Sequence, residues 1–208
     1  VPGGLAETIA LIDYGAGNLR SVENALRAAG GEPTVTADPE RVARADRIVL
    51  PGVGAFGACM GGLTAIPGMV AAMETAVRGR GVPFLGVCVG MQLLADAGHE
   101  HGRTPGLGWI GGDVRLMTPG PGHKVPHMGW NDVVPTRDHP LIVPGEAYYL
   151  HSYVFDVADP VDRLATTDHG GPITGAVGRD NIVGVQFHPE KSQAYGLELL
   201  ARFLAWKP

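Results

Sequence analysis

The sequence predicts an α/β protein: an open, mostly parallel central sheet with helices on both faces and added antiparallel strands. Two observations carry that reading. In the first half, short apolar runs (TIALID, RIVL, PFLGV) alternate with stretches of helical periodicity, the pattern of strands buried on both faces by crossover helices. In the second half, strand-like runs follow one another with only Gly, Pro and Asp turns between them, which predicts meandering strands.

Taken in order, Thr8–Asp13 is the first apolar run, and Tyr14-Gly15-Ala16-Gly17 turns the chain. Asn18 is placed to cap a helix reaching about Ala29, with Leu19, Val22 and Leu26 on one face and Gly30-Gly31 ending it. Pro33–Thr36 and Arg47–Leu50 read as strands around a helical turn at Pro39–Ala43. A glycine-interrupted helical region covers about Leu63–Arg78, Pro83–Val87 is a buried strand, and Val89–Ala97 is expected to be a helix. Asp113–Met117, His127–Val134, Tyr148–Val157, Arg163–Thr167, Ile173–Val177 and Ile182–Phe187 follow as strands. A last helix, about Ala194–Ala205, carries Leu197, Leu200, Ala201 and Leu204 at helical spacing. Neither a linker nor an internal repeat interrupts the 208 residues, so one domain is expected over 1–208.

Bulk properties exclude several classes. The net charge of −5 comes with no Lys/Arg run, so the electrostatic footprint of a nucleic-acid binder is missing. No apolar run approaches bilayer length, and Val1 to Thr8 lack the basic region and apolar core of a signal peptide. A cytoplasmic setting without membrane contact is the expectation. The two cysteines, Cys59 and Cys88, make no disulfide framework. His99-Glu100-His101 is the nearest thing to a ligand cluster, but adjacent loop residues rarely converge on one ion and no HExxH spacing occurs. No metal and no cofactor are expected.

Chemistry concentrates in three places. Gly86-Val87-Cys88-Val89-Gly90 lies between a predicted strand and a predicted helix. Glycines two before and two after let the backbone turn sharply and push the sulfur out at the carboxyl edge of the sheet. Cys88 is the candidate nucleophile, and the Val89 N–H is placed to donate to an oxyanion. Cys59 lacks such a setting and reads as structural or incidental. His188-Pro189-Glu190 follows the apolar run Ile182–Val185. His188 can take the thiol proton and return it to a leaving amine, while Glu190 holds the other imidazole nitrogen. Pro51-Gly52-Val53-Gly54, after the strand Arg47–Leu50, is a loop able to present backbone N–H groups.

GVCVGMQLL together with QFHPEKS resembles the triad-type (class I) glutamine amidotransferases, and the resemblance covers the whole chain. It narrows further. IDYGAGNLRSV, PGVGAF, PHMGWN and YYLHSY are similar, in the same order, to segments of the glutaminase subunits of imidazole glycerol phosphate synthases. This resemblance implies that Cys88, His188 and Glu190 form a triad hydrolysing glutamine through a γ-glutamyl thioester, with Gly52, Val53 and Val89 as the oxyanion hole. It implies that Gln92, Glu100, Ser152 and Tyr153 hold glutamine. It also implies a heterodimer with a cyclase subunit, a (β/α)8 barrel that takes the ammonia to make imidazole glycerol phosphate and aminoimidazole carboxamide ribotide in histidine biosynthesis. Asn18, Trp130, Tyr148 and Lys191 match positions on the face that meets it. Val89 stands where Leu is frequent, and only its N–H is needed. Other readings of the same motifs are a glutaminase subunit of another synthase, a free-standing hydrolase on the same elbow, and a scaffold that keeps the fold without activity.

Overall fold

The computed structural model describes residues 7–208; residues 1–6, the bulk of the opening read above as carrying no leader, lie outside them. The first half alternates strand and helix: β1 (Ile9–Ile12), α1 (Leu19–Ala28), β2 (Pro33–Thr36), α2 (Pro39–Arg44), β3 (Arg47–Gly52), α3 (Phe56–Ala65), α4 (Met69–Glu74, continued by a π turn to Gly79), β4 (Phe84–Cys88) and α5 (Val89–Gln92). Strands dominate thereafter: β5 (Ala97–Gly98), β6 (Thr104–Pro105), β7 (Gly112–Leu116), β8 (His127–Pro135), β9 (Gly145–His151), β10 (Tyr153–Val157), β11 (Arg163–Asp168), β12 (Pro172–Arg179) and β13 (Ile182–Val185). Helix α6 (Gln193–Ala205) ends the chain.

The main sheet has the order β2-β1-β3-β4-β13-β12-β11-β8-β9. Its first five strands are mutually parallel, and the remaining pairs are antiparallel. A smaller sheet, β10-β7-β5-β6, takes the other short strands. The α/β class with a mostly parallel sheet and added antiparallel strands therefore holds. Every residue of β3, β4 and β13 is buried, as expected of central parallel strands covered on both faces.

Three elements differ from the sequence reading, two for a tertiary reason and one for a local one. The helix expected over Val89–Ala97 stops at Gln92. The carbonyls of Leu93, Leu94 and Ala95 accept instead from the N–H groups of Leu107, of Trp109 and Ile110, and of Gly108, so a distant loop ends the helix after one turn. The helical region expected from Leu63 begins at Phe56 and breaks at Pro67-Gly68, where Gly68 takes φ +81°. The strand expected over Tyr148–Val157 is cut at Ser152 into β9 and β10, which belong to different sheets. Among the described residues, no single helix is long and apolar enough to cross a membrane.

Candidate active site

Cys88 closes β4 in a conformation, φ 54° and ψ −113°, that non-glycine residues adopt at a cost of ~1–3 kcal/mol. The surrounding backbone enforces it. A Cβ on Gly90 would lie 1.9 Å from the Leu50 carbonyl oxygen, and one on Gly86 would lie 2.5 Å from the Gly90 carbonyl oxygen. The elbow closes only because those two positions carry no side chain. Gly52 is the β3 residue in register with Cys88, so the Pro51–Gly54 segment emerges beside the sulfur. Helix α5 is one turn long, so its dipole offers an anion less than the helix expected from sequence.

His188 lies just beyond β13, buried, with its Nδ1 2.8 Å from Glu190 Oε1. Its backbone is fixed on both sides. The His188 N–H donates to the Tyr148 carbonyl, and the Ser192 hydroxyl donates to the His188 carbonyl at 2.7 Å. Burial opposes a charge on the imidazole, but hydrogen bonding to Cys88 and Glu190 and their negative charge outweigh it and push His188 up to about 10. Glu190 itself is almost wholly enclosed. The Asn18 amide donates to the same Oε1 at 2.5 Å. Asn18 thus does not cap α1 with its side chain. It sits at the helix start with φ 71° and spends its amide on Glu190 instead.

These groups border a cavity of about 410 Å³ lined by Asn18, Val53, Cys88, Val89, Gln92, Glu100, Ser152, Tyr153, His188 and Lys191, among others. Gly52 and Glu190 stand behind that lining. Trp130 and Tyr148 lie apart on the β8–β9 ribbon, directly opposite one another with ring centroids 6.2 Å apart. Lys191 Nζ sits 6.0 Å from the centre of the Tyr148 ring and joins that ribbon to the cavity. Glu100 Oε2 accepts the Phe56 N–H at 2.9 Å at the start of α3. Its neighbour His99 turns to Asp113 at 3.1 Å. A larger cavity, about 840 Å³, lies along residues 132–146; it holds none of the candidate catalytic groups, so its size gives it no claim to the chemistry.

Several site contacts join residues that sequence reasoning left without a role. Gln186, fully buried, accepts from Gln92 Nε2 at 3.0 Å and points its own amide at Cys88 Sγ, 3.8 Å away. Gln92 also donates to the Tyr153 carbonyl. His151 Nδ1 meets that same carbonyl at 2.9 Å, and His127 Nδ1 lies 3.0 Å from His151 Nε2. The Tyr153 oxygen can only accept, which assigns the proton on each imidazole to Nδ1 and makes both rings neutral links. Burial accordingly holds His151 down at about 3 and His127 at about 4, with neighbouring histidines adding to the effect.

The family model described as "Glutamine amidotransferase class-I" matches residues 10–206. The chain is 63% identical over 208 residues to "Imidazole glycerol phosphate synthase subunit HisH" of Zymomonas mobilis, with 98% of each protein covered. It is 56% identical over 212 residues to the protein of that name from Rhodospirillum rubrum, covering 96% of this chain and 99% of that one. Among solved structures, "Crystal structure of glutamine amidotransferase" superposes with TM-score 0.74 at 18% identity, over 95% of this chain and 97% of that chain. "Structure of PurLQS from Thermotoga maritima" gives TM-score 0.71 at 18% identity, over 97% and 99%. At that identity the two structures speak to the fold alone.

Proposed function

We infer that this chain, which belongs to the class-I glutamine amidotransferase family, is the glutaminase subunit of an imidazole glycerol phosphate synthase. Likeness to the curated subunits over nearly the whole length of both proteins supports that reading. The chain hydrolyses glutamine to glutamate and ammonia for histidine biosynthesis. We place it in the cytoplasm as a single amidotransferase domain spanning 1–208. Its partner is a cyclase subunit, a (β/α)8 barrel that receives the ammonia and releases imidazole glycerol phosphate and aminoimidazole carboxamide ribotide.

The chemistry follows from the groups around Cys88. The Cys88 thiol passes its proton to His188 as its sulfur attacks the carboxamide carbon of glutamine, and the tetrahedral oxyanion is met by the N–H groups of Val89 and of the Gly52-Val53 segment. His188 gives a proton to the departing nitrogen, which leaves as ammonia, and a γ-glutamyl thioester remains. The imidazole then takes a proton from water as the water attacks the thioester, and glutamate leaves with the thiol restored. Glu190 holds Nδ1 of His188 throughout and stabilises the imidazolium. Gln92, Glu100 and the Ser152-Tyr153 backbone hold the α-amino and carboxylate end of glutamine. Trp130, Tyr148, Lys191 and Asn18 face the cyclase, so ammonia passes between subunits without crossing bulk water.

The observation that carries this assignment is the alignment of His188 Nδ1 on Glu190 beside a strained, glycine-flanked Cys88. Cys88→Ala tests it. Glutamine-dependent synthesis in the complex with the cyclase is expected to fall by at least about 10³-fold, while synthesis from added ammonium stays at the wild-type rate. Glutamine use that survives the substitution would remove Cys88 from the role of nucleophile.

A further inference from the structure

We propose that Tyr14 and Cys59 are positioning residues for the oxyanion segment, each holding one carbonyl on either side of the Gly52–Val53 peptide. The proposal rests on the roles given above to Cys88 and Val53.

The Tyr14 hydroxyl donates to the Pro51 carbonyl at 2.6 Å in a buried setting. The Cys59 thiol donates to the Val53 carbonyl at 3.3 Å. Pro51 O belongs to the peptide before Gly52, and Val53 O to the peptide after Val53. The peptide between them carries the Val53 N–H. Side chains from two other elements, the turn after β1 and helix α3, therefore fix both neighbours of the one peptide whose N–H must face the substrate.

Contacts at Gly52 tighten the arrangement. A Cβ there would lie 2.9 Å from the Tyr14 hydroxyl and 2.6 Å from the Gly90 nitrogen, so the phenol rests directly on this backbone. Beyond the segment, Glu100 holds the Phe56 N–H, anchoring the start of the helix that carries Cys59. Burial raises the pKa of the Tyr14 phenol and of the Cys59 thiol. Both stay protonated at neutral pH and remain donors. The need for two such clamps is physical. An oxyanion donor contributes only when it is aimed before charge develops, and a segment with Gly52 and Gly54 flanking Val53 has little stiffness of its own. Clamping the two outer carbonyls supplies it.

The test uses the complex with the cyclase and its nucleotide ligand, with Tyr14→Phe, Cys59→Ala and Cys59→Ser in the glutaminase subunit. Glutamine hydrolysis gives kcat and KM, ammonium-dependent synthesis reports docking, and thermal unfolding reports packing. Tyr14→Phe and Cys59→Ala are each expected to lower kcat about three- to tenfold with KM unchanged, the signature of one hydrogen bond acting in the transition state. Cys59→Ser keeps a donor and should recover most of that loss, and synthesis from ammonium should not change. Wild-type kcat in both Tyr14→Phe and Cys59→Ala, with only the unfolding temperature lowered, would reduce the two side chains to packing. Equal losses in Cys59→Ala and Cys59→Ser would remove the thiol as a donor. Should Tyr14→Phe fail to fold, the comparison at position 59 decides alone. A wild-type complex that releases no glutamate would instead overturn the functional assignment itself, which variants matching an active wild type would leave standing.

Discussion

On one side of the cleft, β3, β4 and β13 run parallel and wholly buried, and they bring Cys88, Gly52 and His188 together through backbone packed against backbone. On the other side, β8 and β9 form an antiparallel ribbon at the sheet edge, with Met128, Trp130 and Val134 exposed. That ribbon leads to Ser152 and Tyr153 through a run of side-chain hydrogen bonds: Asn131 to His127, His127 to His151, and His151 to the Tyr153 carbonyl. The thiol side gets the sharp turn at Cys88 from steric exclusion, with hydrogen bonds from Tyr14, Cys59 and Asn18 holding the segment and the base around it. The ribbon side gets its geometry from polar links, each of which titrates or can be replaced.

A pair of glycines gives the sharpest contrast between the two sides. Gly90→Ala drives a methyl carbon to 1.9 Å from the Leu50 carbonyl oxygen; neither β3 nor the elbow can yield without moving Cys88. We expect a loss of at least about 3 kcal/mol or failure to fold. Gly129→Ala, on the ribbon, meets nothing within 4 Å, and only its φ of +129° resists. The expected cost there is about 1–2 kcal/mol with the fold intact. Denaturant unfolding of the two variants would erase the contrast if their losses were equal.

Asn18→Ala comes next in size, because it acts on the thiol side without disturbing the packing. Glu190 Oε1 would keep His188 and lose its amide donor. Since a hydrogen bond to a charged group contributes about 1.5–3 kcal/mol, kcat for glutamine in the complex is expected to fall about tenfold or more, with KM little changed. Asn18→Asp puts a second carboxylate against Glu190 and should fall further. A change confined to the affinity for the cyclase would make Asn18 an interface residue alone.

What the chain disclosed before folding follows the same division. The elbow was legible because its signature is local: two glycines at fixed spacing around a cysteine where an apolar run ends. His188 and Glu190 were legible as a pair for the same reason. Asn18 stands at the start of α1 as the sequence indicates, but its side chain goes to Glu190, 172 residues away, instead of capping the helix, and nothing near Asn18 announces a distant carboxylate. Tyr14 and Pro51, or Gln92 and Gln186, are likewise 37 and 94 residues apart. The early end of α5 and the break at Ser152 were hidden because propensity continues through both. A loop at residues 107–110 captures the helix carbonyls, and the chain crosses from one sheet to another at Ser152.

The smallest effect is a pH response that differs in direction between the two sides. His188 has a folded pKa raised from 6.5 to about 10, so the native state binds its proton more tightly than the unfolded chain does. Its contribution to stability is complete below about pH 6.5 and is lost as pH rises toward 10. His127 and His151 are held at about 4 and about 3. Their neutral forms belong to the folded state, so their contribution is present above pH 6.5 and drains away as pH falls toward those values. His139, held at about 4 by burial and by Arg137, adds to the same acid limb. Melting temperature against pH should therefore sag on both flanks of neutrality, from different sides of the cleft. His188→Asn should flatten the alkaline flank and leave the acid one, and His151→Phe should flatten part of the acid flank and leave the alkaline one. Each ~1 kcal/mol lost on either flank lowers the midpoint of a domain this size by about 2–4 °C. If His151→Phe altered only the alkaline flank, the neutral histidine links assigned to the ribbon would be wrong.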